Sequence, residues 1–176
     1  MKKKSVLLVA AVVVCAVICR VLGKLDFHST VCGIIRSILY IGLYIGWGIL
    51  NNRRLIQKTI RIHLVAASGL MVFWFVVRSI KYMFVVNPTV TRYLWYSYYI
   101  PLLLIPLIFL IVSIMIGKVE NSSLPKSAWL LYAPTLLCIF MVLTNDLHQF
   151  VFSFPAGEVW LDSNNGYELG YYIIQI

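Results

Sequence analysis

The chain alternates between long apolar runs and short polar connections, most of them basic. Five runs stand out, Ser5–Leu22, Val31–Leu50, Leu64–Val86, Tyr93–Gly117 and Ala128–Phe152, and a sixth begins at Gly170 and reaches Ile176. A helix that crosses about 30 Å of hydrocarbon needs about 20 apolar residues. Lipid offers no partner to an open backbone, so such runs must close their hydrogen bonds as helices. The pattern therefore predicts an all-α, polytopic transmembrane helix bundle with five complete spans plus the start of a sixth. The connections are too short to be domains of their own.

Composition strengthens this reading by exclusion. Of the 176 residues, 61% are hydrophobic and 12% charged, against about 45–50% and about 25% in soluble domains. A chain this small cannot hide that excess in one water-soluble core, which excludes a soluble globular enzyme. Disorder requires low hydrophobicity and is excluded as well. The formal charge is +9, but the basic residues sit between apolar runs, where they report topology rather than a nucleic-acid partner. The expected partner is the lipid bilayer, and the expected location is the cell membrane, as a multi-pass protein.

The distribution of Lys and Arg sets the orientation. With the N-terminus in the cytoplasm, the inner segments carry Lys2, Lys3 and Lys4, then Arg53, Arg54, Lys58 and Arg61, then Lys118 and Lys126. The outer segments carry Lys24 and, at a boundary, Arg92, while the last of them (Ser153–Leu169) has Glu158, Asp162 and Glu168 instead. Met1-Lys2-Lys3-Lys4 resembles the start of a signal peptide, but the apolar stretch behind it is longer than usual and no A-x-A-like site follows. Val14 and Ile18 precede Cys15 and Cys19, so the small residue of a lipoprotein cleavage site is missing. Residues 1–30 are read as a retained signal-anchor span and outer loop, and residues 31–176 as a second unit. Trp95, Tyr96, Tyr98 and Tyr99 are expected to form an interfacial belt at the outer start of the fourth run. Pro101 and Pro106 should kink that helix. Cys15, Cys19, Cys32 and Cys138 all fall in apolar runs and read as buried, inert thiols.

Ionisable residues inside spans cost at least about 2.5 kcal/mol each on insertion scales and are functional candidates. At about 1.5 Å per residue, Arg36 lies roughly 8 Å below the outer face of the second run, and Arg78 and Lys81 roughly 21 and 26 Å up the third. The fifth run ends in Thr144-Asn145-Asp146-Leu147-His148-Gln149 near the same face. Arg36, Arg78, Lys81, Asn145, Asp146 and His148 thus share one outer layer on three helices. Arg78 and Lys81 are i,i+3 neighbours, as are Asn145 and His148, and Thr144 and His148 are i,i+4. Two readings stay open. Either the cations snorkel to the interface while the polar group closes a helix, or the layer is an outward-facing cationic pocket. In the second reading Asp146 is the internal counter-ion and His148 a hydrogen-bonding or titrating group, and the ligand is small and anionic or carboxylate-bearing.

Catalytic chemistry finds no support. There is no Ser/His/Asp arrangement, no Gly-rich phosphate loop and no H-E-x-x-H. Asp146 and His148 are i,i+2 and point to different helix faces, while His28 and His63 sit in opposite loops. No catalytic residue, metal or cofactor is expected.

Leu70-Met71-Val72-Phe73-Trp74-Phe75, followed by Arg78, Lys81 and Tyr82, resembles one helix of the N-terminal seven-transmembrane sensor region of bacterial histidine kinases, in the version carried by clostridial and related Firmicutes proteins. Thr91-Arg92-Tyr93-Leu94-Trp95-Tyr96-Ser97-Tyr98-Tyr99-Ile100-Pro101 is similar to the next helix. Leu143-Thr144-Asn145-Asp146-Leu147-His148-Gln149-Phe150-Val151-Phe152, with Phe154-Pro155 and Glu158-Val159-Trp160 behind it, is the most specific part. The family has an Asn and a His spaced like Asn145 and His148 where a helix closes. The likeness covers Val31 to Ile176. It departs from the family in the additional span Ser5–Leu22 and in the lack of the last helices and of any phosphoacceptor or ATP-binding segment. The resemblance implies a membrane-embedded signal-input domain of a two-component-type protein, truncated before its output module, and by the habit of sensor kinases a homodimer. A small transporter or channel subunit is the alternative, with the kinked fourth span and the charged layer as pathway elements, and a ligand-free membrane scaffold is a third class.

Overall fold

The computed structural model describes residues 2–24, 29–85, 87–118, 124–154 and 166–175. His28, Glu158, Asp162 and Trp160 lie outside the described residues, as does most of the last outer segment. Helix α1 spans Lys2–Lys24, α2 Ser29–Arg54, α3 Lys58–Met83, α4 Pro88–Ser97 and α5 Tyr99–Met115. A 3-10 turn at Lys126–Leu131 leads into α6 (Tyr132–Leu143), and α7 (Asn145–His148) follows. Strand β1 (Phe152–Ser153) pairs antiparallel with β2 (Gly166–Tyr167) before α8 (Leu169–Gln175). Among the described residues, four helical stretches are long and apolar enough to cross a membrane: Thr30–Arg54, Lys58–Met83, Pro88–Met115 and Lys126–Leu143. In the first helix the described side chains form a further apolar stretch, Leu7–Gly23.

Apolar side chains cover the outside of the bundle. Leu7, Ile38, Leu130, Leu137 and Phe140 are each more than half exposed, a surface that hydrocarbon tolerates and water does not. Helix α1 packs on α2, α2 on α3, and α3 on α5. Gly48 makes the α2–α3 approach close: a Cβ there would run into the Ser68 hydroxyl, which donates to the Tyr44 carbonyl at 2.6 Å. Small residues at helix contacts are how membrane helices draw together without a hydrophobic drive. One buried cluster, Ala67, Ile108 and Val112 with Trp47 beside it, joins α2, α3 and α5.

Helix boundaries differ from the apolar runs in an instructive way. Helices α2 and α3 extend through Arg53, Arg54, Lys58 and Arg61, leaving residues 55–57 as the whole connection. Hydropathy marks the apolar middle of a helix, whereas the backbone stays wound until something caps it. His63 accordingly lies within α3 rather than in a loop, donating from Nδ1 to the Thr59 carbonyl at 2.7 Å and accepting the Tyr132 hydroxyl at Nε2 (3.2 Å). The α4 start follows rule: Pro88 occupies the first turn, and the Asn87 side chain accepts from the Thr89 and Val90 amides.

Both prolines of the fourth run were expected to kink it, and they behave differently. Pro101 has no N–H for the Ser97 carbonyl four residues back, and the hydrogen-bond ladder is interrupted at Tyr98, which divides α4 from α5 while keeping helical dihedrals (φ −65, ψ −26). Pro106 sits inside α5 with no break. The fifth run, expected as one helix to Phe152, ends at Leu143, and the chain turns at Thr144 into α7 and then β1. Of the cysteines, Cys32 is buried, Cys19 and Cys138 are intermediate and Cys15 is exposed. The expectation of uniformly buried thiols is corrected: an apolar run puts residues on the lipid face as readily as inside.

Candidate functional site

The ends of α1, α3 and α6 and the starts of α2 and α4 lie together at one end of the bundle. The six residues expected to share one layer all lie there, but five of them divide into two groups and Lys81 stands between.

The first group is a cavity of about 630 Å³ between α1, α2 and α3. Arg20, Arg36 and Arg78 line it, one from each helix, with Ser37, Ser79 and Tyr82. No carboxylate stands among the described residues of its wall. Arg36 is half-buried, and the Arg78 guanidinium lies 5.9 Å from the centre of the Tyr82 ring. Three guanidiniums around one concavity offer forked donors suited to carboxylate or phosphate oxygens. Arg20 was missed in the sequence, although it is the single charged residue of the run Ser5–Leu22. That signal was available.

Lys81 is not part of this wall. It is only 4% exposed and places Nζ 4.9 Å from the Tyr82 ring centre and 5.6 Å from that of Tyr98, between α3 and the α4–α5 break. It is a buried cation held over aromatic faces.

The second group is a polar knot joining α4, α7 and β1. Asn145 is fully buried. Its Oδ1 accepts from the Val151 and Phe152 amides, both at 3.0 Å. Its Nδ2 donates to the Phe152 carbonyl at 2.9 Å and to the Tyr96 hydroxyl at 3.3 Å. Two donors and two acceptor positions are all that an Asn amide has, and all are used. The Tyr96 hydroxyl donates in turn to Asp146 Oδ1 at 2.7 Å, and Asp146 Oδ2 lies 2.9 Å from Arg92 Nη2. Arg92 and Tyr96 are i,i+4 on α4, so one face of that helix presents both to α7. Asp146 was expected to balance the cavity arginines; its ion-pair partner is Arg92. His148 accepts the Phe150 amide at Nδ1 (3.0 Å), and its Nε2 lies 3.3 Å from the Thr144 hydroxyl. It closes the local turn.

The aromatic residues expected as an interfacial belt are largely core. Tyr96 and Tyr99 are 0% and 8% exposed and, with Trp95, surround Phe152, whose ring centre is 4.5 Å from Trp95 and 5.4 Å from Tyr99. Tyr171 of α8 closes the cluster 5.9 Å away. Aromatic composition at a helix end cannot by itself tell a lipid interface from a folded-back segment that covers it. No protein-family model, no curated protein and no solved structure matches this chain.

Proposed function

We propose that this chain is a membrane-embedded signal-input domain that responds to a small anionic or carboxylate-bearing ligand, with its N-terminus in the cytoplasm and its output module outside this chain. The observation that carries the reading is the cavity to which α1, α2 and α3 each contribute one arginine, with no facing carboxylate among the described residues. Like charges gathered at membrane depth favour separation of the three helices; an anion favours their approach. Such a ligand binds one packing of the helices better than the other and shifts the population between them. The polar knot of Asn145, Tyr96, Asp146 and Arg92 holds the neighbouring segment as a fixed reference, against which α1–α3 move. The basic helix ends that flank the α2–α3 connection support the assigned orientation, and the resemblance to histidine-kinase input regions supplies the kind of output.

Thermal unfolding in neutral detergent tests the reading, with inorganic phosphate, citrate or hexadecyl phosphate added. At least one anion is expected to raise the midpoint of the wild type and to lose that effect in the Arg36→Gln/Arg78→Gln variant. No arginine-dependent shift with any of them overturns the anion site. A coding frame past Ile176 that holds only further apolar spans, in place of a phosphoacceptor His and an ATP-binding segment, would replace the sensor with a transporter.

A further inference from the structure

A second concavity lies next to the arginine cavity along the same helix seam. Toward the opposite end of the bundle, where α2 finishes at Arg54, lies an apolar groove of about 690 Å³, lined among others by Leu8, Val9, Gly42, Gly46, Trp47 and Met71. Gly42 and Gly46 face open space, since a Cβ on either would meet no atom within 4 Å. The two concavities meet at an aromatic contact. Phe75, on the cavity wall, lies 5.7 Å from Tyr44, on the groove wall, and 5.0 Å from Tyr40 (ring centres).

Helix geometry lines them up. Val9 precedes Arg20 by 11 residues, Arg36 precedes Trp47 by 11, and Ala67 precedes Arg78 by 11. Eleven residues close three helical turns almost completely. On each of the three helices, then, a groove residue and a cavity arginine share one face, about 16 Å apart. That is roughly half the thickness of the hydrocarbon core.

We infer that the cavity and the groove form one site for an anionic amphiphile. Its phosphate or carboxylate head sits among Arg20, Arg36 and Arg78, and its hydrocarbon chain passes Phe75 to lie beside Gly42 and Gly46. This rests on the anion-input reading above and narrows it: the stimulus arrives from the bilayer and carries a tail. Measured from water, each methylene gains about fourfold at most; partition into the micelle or bilayer supplies part of that gain for any tail, so the groove's own contribution is the part of the chain-length dependence that a groove variant removes.

The test uses the full chain in neutral detergent and compares inorganic phosphate, hexyl phosphate, hexadecyl phosphate and hexadecanol by midpoint shift. Hexadecyl phosphate is expected to bind at least about tenfold tighter than hexyl phosphate, inorganic phosphate or hexadecanol. Gly46→Leu fills the groove and should bring hexadecyl phosphate down to the hexyl level while sparing inorganic phosphate; Gly42→Leu serves if that variant does not fold. Inorganic phosphate binding as tightly as hexadecyl phosphate, or a ranking unmoved by either groove variant, overturns the amphiphile and leaves the anion site standing. Hexadecanol matching hexadecyl phosphate also overturns it, because the head would then be idle. Binding of every anion unchanged by Arg36→Gln/Arg78→Gln overturns both.

Discussion

Asn145 grips the Phe152 main chain on both sides, accepting its N–H at Oδ1 and donating from Nδ2 to its carbonyl. The side chain thereby does for residues 151–152 what a neighbouring strand would do, and it does so where the protein is fully buried. Replacing Asn145 with Ala strands the Val151 and Phe152 amides without water. A buried polar group left unpaired costs about 1–3 kcal/mol, so Asn145→Ala is expected to cost at least about 3 kcal/mol in thermal unfolding in detergent. Asn145→Asp keeps the acceptor, loses both donors and adds a carboxylate beside Asp146, and should be no better. A loss below about 1 kcal/mol for Asn145→Ala would show that the segment is held by its rings alone.

The Tyr96 hydroxyl links Asn145 to Asp146, and Arg92 terminates the chain of bonds. Tyr96→Phe keeps the ring stack on Phe152 and removes only the hydroxyl, for an expected loss of about 1–2 kcal/mol. Arg92 and Asp146 each keep about a quarter of their side-chain surface in contact with the surroundings, which places their pairing between a surface and a buried ion pair. A double-mutant cycle with Arg92→Gln and Asp146→Asn should return a coupling of about 1 kcal/mol. Zero coupling would mean that each residue is held independently.

The apolar middles of α2 to α6 were legible because helix and hydrocarbon impose one length on a sequence. Position along each helix was legible too: Arg36, Arg78, Lys81, Asn145, Asp146 and His148 lie toward one end of the bundle. What depth cannot supply is direction around a helix. Arg78 and Lys81 are one turn apart, yet Arg78 lines the cavity and Lys81 reaches across to Tyr98. Arg92 read only as a charge at a span boundary, because its role depends on α7 returning beside α4. Trp95, Tyr96 and Tyr99 read as an interface because the segment that buries them comes later and carries few charges in its packed part. A periodic pattern reports what an element is; only the packing reports which neighbour it meets.

The glycines of α2 divide by what surrounds them. Gly48 faces the Ser68 hydroxyl, whereas Gly42 and Gly46 face open space. Gly48→Ala should push α2 from α3 and break the Ser68–Tyr44 hydrogen bond, costing about 1–3 kcal/mol. Gly42→Ala and Gly46→Ala should be neutral or stabilising by up to about 1 kcal/mol, since Ala is the better helix former. Unfolding midpoints of the three single variants check the contrast. Equal effects at Gly46 and Gly48 would show that the groove is closed in solution.

Two backbone positions bracket the returning segment and should respond to substitution in opposite directions. Gln149 adopts a left-handed conformation, φ 47 and ψ 32, while its amide donates to the Asn145 carbonyl at 2.7 Å. An L side chain there costs about 1–2 kcal/mol, and glycine suits the helix end, so Gln149→Gly should stabilise by up to about 1 kcal/mol. Gly170 donates to the Phe150 carbonyl at 3.0 Å, and a Cβ would sit 2.8 Å from that same oxygen and 2.6 Å from the ring. The ring can swing aside, but the carbonyl belongs to the segment that Asn145 fixes two residues further on. Gly170→Ala must therefore lift α8 off the Phe152 cluster, at a cost of about 1–3 kcal/mol. Hydrogen exchange at the amides of Glu168 and of position 170 reads this directly, since both donate to residues 150–151. Faster exchange at both in Gly170→Ala, and none in Gln149→Gly, is the expected result. Unchanged protection in Gly170→Ala would mean that the two segments can part at no cost.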